Sequence, residues 1–135
     1  MIQRIQTLFL TLALLLNIAF FFTPLFERVL EDPSGWFRSA ILTAIGLAAI
    51  LSAASIFMYK NRLRQMRWVK NAMIFQLLAS GTGVGVFFTL GRIGSHLTGE
   101  AIGLGFLILA VFFQLLANAS IKKDERLVRS IDRIR

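Results

Sequence analysis

Apolar residues in this chain come in four long blocks, residues 7–26, 39–59, 71–90 and 101–120, and none of the four holds a charged residue. Each is close to the roughly 20 residues that a helix rising ~1.5 Å per residue needs to cross a ~30 Å hydrocarbon core. The pattern predicts an all-α integral membrane protein: a four-helix antiparallel bundle over residues 1–120 and a separate tail over 121–135. Short connections make consecutive spans the expected neighbours. Arg4 gives the first block the basic start of a secretory signal. Its apolar run is too long for one, however, and FFTPLFERV after it offers no small-residue cleavage site, so it is read as a retained span.

Within the spans, small and polar residues mark the faces on which helices are expected to meet. Ala44, Ala48, Ser52 and Ser55 form a ridge spaced four, four and three, and Gly81 and Gly85 make a G-x-x-x-G pair. The glycine-rich ASGTGVGVFF around that pair has neither a dinucleotide fingerprint nor a P-loop lysine, so it reads as packing. Thr23 and Pro24 predict a kink or an end near the close of the first span. Asn17, Gln76 and Gln114 are the intramembrane polar contacts. Gln76 and Gln114 lie at equal depth on the third and fourth spans, which predicts a hydrogen bond between them.

Charge adds an orientation. Arg4, the connection KNRLRQMRWVK and the tail IKKDERLVRSIDRIR together hold 12 of the 15 Lys and Arg, and that side sums to +9 against −1 for the other. The positive-inside rule then places both termini and the second connection in the cytoplasm. In the tail, Ile121, Leu127, Val128, Ile131 and Ile134 share one arc of a helical wheel, with most charges opposite. The tail is therefore a basic amphipathic helix suited to anionic lipid or to a partner. Glu125 precedes Arg129 by four residues, the favourable order for a helical ion pair. Candidate contacts to partner or anionic lipid are Arg4, Arg62, Arg64, Arg67, Lys122, Lys123, Arg126, Arg129 and Arg133.

The residues offer little chemistry. With no cysteine there is neither a disulfide nor a thiolate metal site, and the one histidine, His96, stands in a loop beside Ser95 with Glu100 four residues on. Glu27, Glu31 and Asp32 read as a hydrated acidic turn rather than a cation site, and Asn118, a match to a glycosylation sequon, lies at the cytoplasmic edge. No span carries the ionisable residue that proton or cation transport usually requires. No catalytic, cofactor or metal site is assigned, and the chain is read as non-enzymatic.

MIQRIQT at residues 1–7, KNR in the second connection and KDERLVRSIDRIR at 123–135 resemble a family of uncharacterised small four-span membrane proteins of Bacteroidota, classed as a domain of unknown function. The resemblance covers the whole chain and implies the inner membrane of a Gram-negative cell; it implies no activity. The expected function is that of a subunit or accessory factor of a larger inner-membrane complex, with a basic cytoplasmic docking surface. The alternative is a small transporter or channel acting as a homo-oligomer, with Asn17, Gln76 and Gln114 along its path. An anionic partner such as ribosomal RNA is a further, weakly supported candidate, because phosphate attraction alone lacks specificity and fades with salt.

Overall fold

A computed structural model describes residues 2–89 and 97–134, with side chains from residue 5 in the first segment and from residue 98 in the second. Every regular element among them is helical: α1 (Ile2–Phe20), α2 (Pro24–Leu30), α3 (Trp36–Phe57), α4 (Arg62–Thr89) and α5 (Leu97–Ile134). Three of these are long and apolar enough to cross a membrane, and α1 with α2 makes a fourth if that pair, bent by 58°, is one broken span.

The break has a local cause. Pro24 has no N–H to continue the ladder of α1, so the amides of Phe21, Phe22 and Thr23 turn back to the carbonyls three residues earlier, at 3.0–3.1 Å. The Thr23 hydroxyl also donates to the Phe20 carbonyl, at 2.6 Å, adding a second donor to the one that the Thr23 amide supplies. Phe20, Phe21 and Phe26 then pack edge-to-face around the corner, with centroids 4.9–5.9 Å apart.

Two further turns are fixed by short polar side chains. Asp32 accepts from the Ser34 amide and hydroxyl through Oδ1 and from the Phe37 amide through Oδ2, so it caps α3 across the left-handed Gly35 (φ 69°). Asn61 Oδ1 accepts from the Arg64 amide and starts α4.

Contacts among the long helices close a ring in the order α1, α5, α4, α3. The expectation of consecutive neighbours holds for α3 with α4 and for α4 with α5. The first span, however, packs far more on α5 than on α3.

The buried positions explain the ring. On α1 they are Gln6, Leu10, Ala13, Asn17 and Phe20; on α4, Gln65, Val69, Ala72, Gln76, Ala79, Gly83 and Val86, with Ser80 beside Ala79; on α5, Glu100, Gly103, Leu107, Ala110, Gln114, Ala117, Ile121 and Asp124. Steps of three and four alternate along all three helices, the 3.5-residue repeat of left-handed helix packing. Most inward residues are small or polar, while Leu15, Ile18, Ile50, Ile74, Leu77, Leu78, Ile102 and Phe112 point outward and stand exposed. The interior is thus more polar than the rim.

Two apolar clusters fill that interior, one around Phe20, Leu25, Ile41, Ala79, Val86 and Leu107, the other around Leu10, Val69, Ala117 and Ile121. Asn17, Gln76 and Gln114 lie on the helical turns between them.

α5 runs unbroken across the 120/121 boundary expected from composition. Its 38 residues extend about 57 Å, and the 28 of α4 about 42 Å, so both outreach a ~30 Å core.

Candidate functional site: a polar interior and a basic end

Polar side chains occur at three levels of the ring. In the middle layer, Asn17 Nδ2 donates to Gln76 Oε1 and Gln76 Nε2 donates to Asn17 Oδ1, both at 2.9 Å. The Gln76–Gln114 bond expected from equal depth is not formed. Gln114 Nε2 instead donates to Ser52 Oγ at 3.1 Å. The reason is the ring order: α4 and α5 are neighbours whose inward residues point across the interior, so Gln76 meets α1 and Gln114 meets α3. Each pair joins helices that face each other diagonally, and Gln114 Oε1 stays buried without a partner among the described residues.

At the end opposite the basic residues, Arg28 Nε donates to Glu100 Oε1 at 2.8 Å and Arg28 Nη1 donates to Glu31 Oε2 at 2.9 Å. The Glu100 side chain is only 2% exposed although it carries a carboxylate. It sits in the first turn of α5, where the helix dipole favours negative charge. Gly99 and Gly103 bring this helix against the α1–α2 break: a Cβ on Gly99 would lie 2.7 Å from Pro24 Cγ, and one on Gly103 2.6 Å from Thr23 Oγ1. The sequence reading missed Glu100 as an ion-pair partner because it treated the residue as part of the His96 loop. The available signal is its place three residues before Gly103 and seven before Leu107, on the inward repeat.

The acidic turn is also accounted for, since Glu31 engages Arg28 and Asp32 caps α3. Hydrogen bonds from Ser34, with the Phe37 amide adding to them, hold the Asp32 carboxyl below its ordinary value.

The packing residues divide. Ala44, Ala48, Ser52 and Ser55 are all buried on one face of α3. Gly81 is exposed with nothing near its missing side chain, while Gly85 packs on α3, an added Cβ lying 3.2 Å from the Phe37 ring. The inward glycine of α4 is Gly83, whose added Cβ would lie 2.9 Å from Leu107 Cδ1. The inward repeat runs through 76, 79, 83 and 86, and the pair 81 and 85 falls off it.

At the basic end, Arg62 Nε meets Asp124 Oδ2 at 3.3 Å, joining the start of α4 to α5. Arg129 Nη2 meets Glu125 Oε1 at 2.8 Å, at the spacing expected from the sequence. Arg64, Arg67, Lys122, Lys123, Arg126 and Arg133 are exposed. The Arg4 side chain, His96, Ser95, Arg92 and Arg135 lie outside the described residues.

Beyond Asp124, α5 runs past the start of α4, where Val128 and Arg129 line an open cavity with Arg62 and Leu63, and Leu127 (47%), Val128 (39%), Ile131 (59%) and Ile134 (86%) are exposed. Val128 and Ile131 continue the inward repeat of Ile121 and Asp124, so the seam that packs the ring runs on unfilled. Ile121, grouped with this stripe by the helical wheel, is fully buried in the core.

No curated protein and no solved structure matches the chain. The model of one family, described as Domain of unknown function (DUF4293), matches residues 2–134, and the chain therefore belongs to that family.

Proposed function

We propose that this is a multi-pass protein of a bacterial inner membrane whose four spans, the first one broken, form an antiparallel bundle with both termini in the cytoplasm. It acts without catalysis, as a subunit or accessory factor that docks a larger complex at its basic end. The apolar rim around a more polar interior supports the membrane placement, since water-soluble surfaces rarely leave contiguous apolar area of this kind open. The charge asymmetry supports the orientation.

The observation that carries the docking reading is the free end of α5. About 15 Å of helix follows Asp124, with Leu127, Val128, Ile131 and Ile134 exposed beside Arg126, Arg129 and Arg133. An unfilled apolar seam flanked by cations suits an amphipathic partner helix with acidic edges. The test is mild-detergent purification of the chromosomally tagged protein after in-cell crosslinking, comparing wild type with Arg126→Glu, Arg129→Glu, Arg133→Glu combined. A stoichiometric partner present in wild type and lost in the variant is the expected result. Self-crosslinks alone, unchanged in the variant, would sink the reading.

One observation favours the transporter alternative: Gln114 Oε1 is buried and open as an acceptor among the described residues. Replacing Asn17, Gln76 and Gln114 together with leucine should abolish flux if they line a path, whereas an accessory factor would keep its partner.

A further inference from the structure

Three cations at the basic end border one cavity without an ion pair of their own among the described residues, its one carboxylate, Glu125, being taken by Arg129. Lys70 from α4 and Lys122 and Arg126 from α5 line one cavity of about 230 Å³ between the two helices, together with Met66, Asn118 and the Glu125–Arg129 pair. None of the three forms an ion pair among the described residues: Arg62 takes Asp124 and Arg129 takes Glu125. Asn118 Oδ1, in the same wall, is buried and accepts no hydrogen bond there. Lys122 and Arg126 also border a second cavity on the outer side of α5, with Ala119 and Leu127 beside them.

Depth identifies the ligand chemistry. Lys70 is the last charge before the uncharged run of α4, and Lys122 is the first after that of α5. In a bilayer both stand at the level of the lipid phosphates, and Arg126 stands about 6 Å further out. A basic cleft between spans at this level fits an anionic headgroup.

We propose that the cleft between α4 and α5 binds the phosphodiester of an anionic phospholipid through Lys70, Lys122 and Arg126, with Asn118 Oδ1 receiving a headgroup hydroxyl. The site rests on the membrane placement proposed above but not on the docking of a protein partner. Its acyl chains run beside the apolar rim, which separates it from a site for free phosphate. It differs from a diffuse basic surface because Lys70, Lys122 and Arg126 border one cavity between α4 and α5, whereas Arg64 and Arg67 stand exposed outside it.

The experiment is native mass spectrometry of the full chain in detergent, titrated with phosphatidylglycerol or with phosphatidylcholine of the same chains, and with inorganic phosphate as competitor. Two triple variants remove equal charge: Lys70→Gln, Lys122→Gln, Arg126→Gln inside the cleft, and Arg64→Gln, Arg67→Gln, Arg133→Gln outside it. The expected result is a preference for phosphatidylglycerol that falls on the order of tenfold or more in the first variant and stays within about twofold in the second. Equal losses in both variants, no headgroup preference in wild type, or full displacement by millimolar phosphate would each overturn the proposal. Carbonate-resistant sedimentation of wild type with membranes checks the placement separately, so its failure is distinguishable from failure of the site.

Discussion

Asn17 and Gln76 exchange two hydrogen bonds of 2.9 Å across the interior, from α1 and α4, which face each other diagonally in the ring. Each amide satisfies the other where no water reaches, so the pair fixes the rotation of both helices about their axes. Asn17→Leu or Gln76→Leu leaves one amide buried alone and should cost about 1–3 kcal/mol. The double variant should recover part of that loss, with a coupling of about 0.6 to 1.7 kcal/mol. Unfolding in mixed micelles across the four-variant cycle measures it; additive losses would mean that the two amides act independently.

Arg28 and Glu100 tie the bent part of the first span to the start of α5. Removing the arginine strands a carboxylate that is almost wholly buried, so Arg28→Leu should destabilise clearly. Glu100→Gln leaves the arginine partly solvated and still paired with Glu31, and should cost less. The same unfolding assay ranks the two, and equal losses would contradict the asymmetry in burial.

Gly103 and Gly81 separate packing glycines from incidental ones. A methyl at 103 would meet Thr23 Oγ1 and Leu25 Cβ at 2.6 and 2.8 Å, and Gly103→Ala should cost about 1–3 kcal/mol. Gly81→Ala meets nothing and should be neutral or raise stability by up to about 1 kcal/mol through helix propensity. Thermal melts in one detergent compare them directly. A larger loss at Gly81 would restore the G-x-x-x-G reading.

Asp32 gives the cap of α3 a pH dependence. Its carboxyl is held below the ordinary value of 3.8, mainly by hydrogen bonds from Ser34, so its contribution is complete above that value. It is lost as the pH falls through the lower, folded value. Amide exchange at Phe37, normalised for intrinsic rates, should show protection falling below about pH 4 in wild type. Asp32→Asn, which keeps an acceptor but no titrating group, should show no such fall; a parallel fall would assign the effect elsewhere.

The four apolar runs made legible the long helices and their capacity to cross a membrane, because a hydrocarbon core imposes length and lack of charge on whatever crosses it. Which way each helix faces was not legible. In a soluble helix the apolar stripe marks the interior, but here outward Leu15, Ile74 and Phe112 are as apolar as inward Leu10 and Val69. The inward repeat is written instead in small and polar residues, among them Ala13, Asn17, Gln76, Gly83, Gly103 and Gln114. Read at 3.5-residue spacing, that series would have placed Glu100 inside and Gly81 outside. Depth alone paired Gln76 with Gln114, because depth says nothing of which helices stand diagonally. The helical reading of the tail agrees with α5. Its continuity with α5 was hidden by the change in composition at Lys122, which alters solvent preference without breaking a helix.

The proposed docking of a partner on the free end of α5 is tested most directly by a photo-crosslinking residue placed at Ile131, in the unfilled seam, and by the same probe at Lys123 for comparison. In living cells, one protein of a different sequence should be captured at near-stoichiometric yield from position 131 and far less from 123. Capture of lipid or of a second copy alone at both positions would contradict the account, leaving the tail without the partner its exposed seam implies.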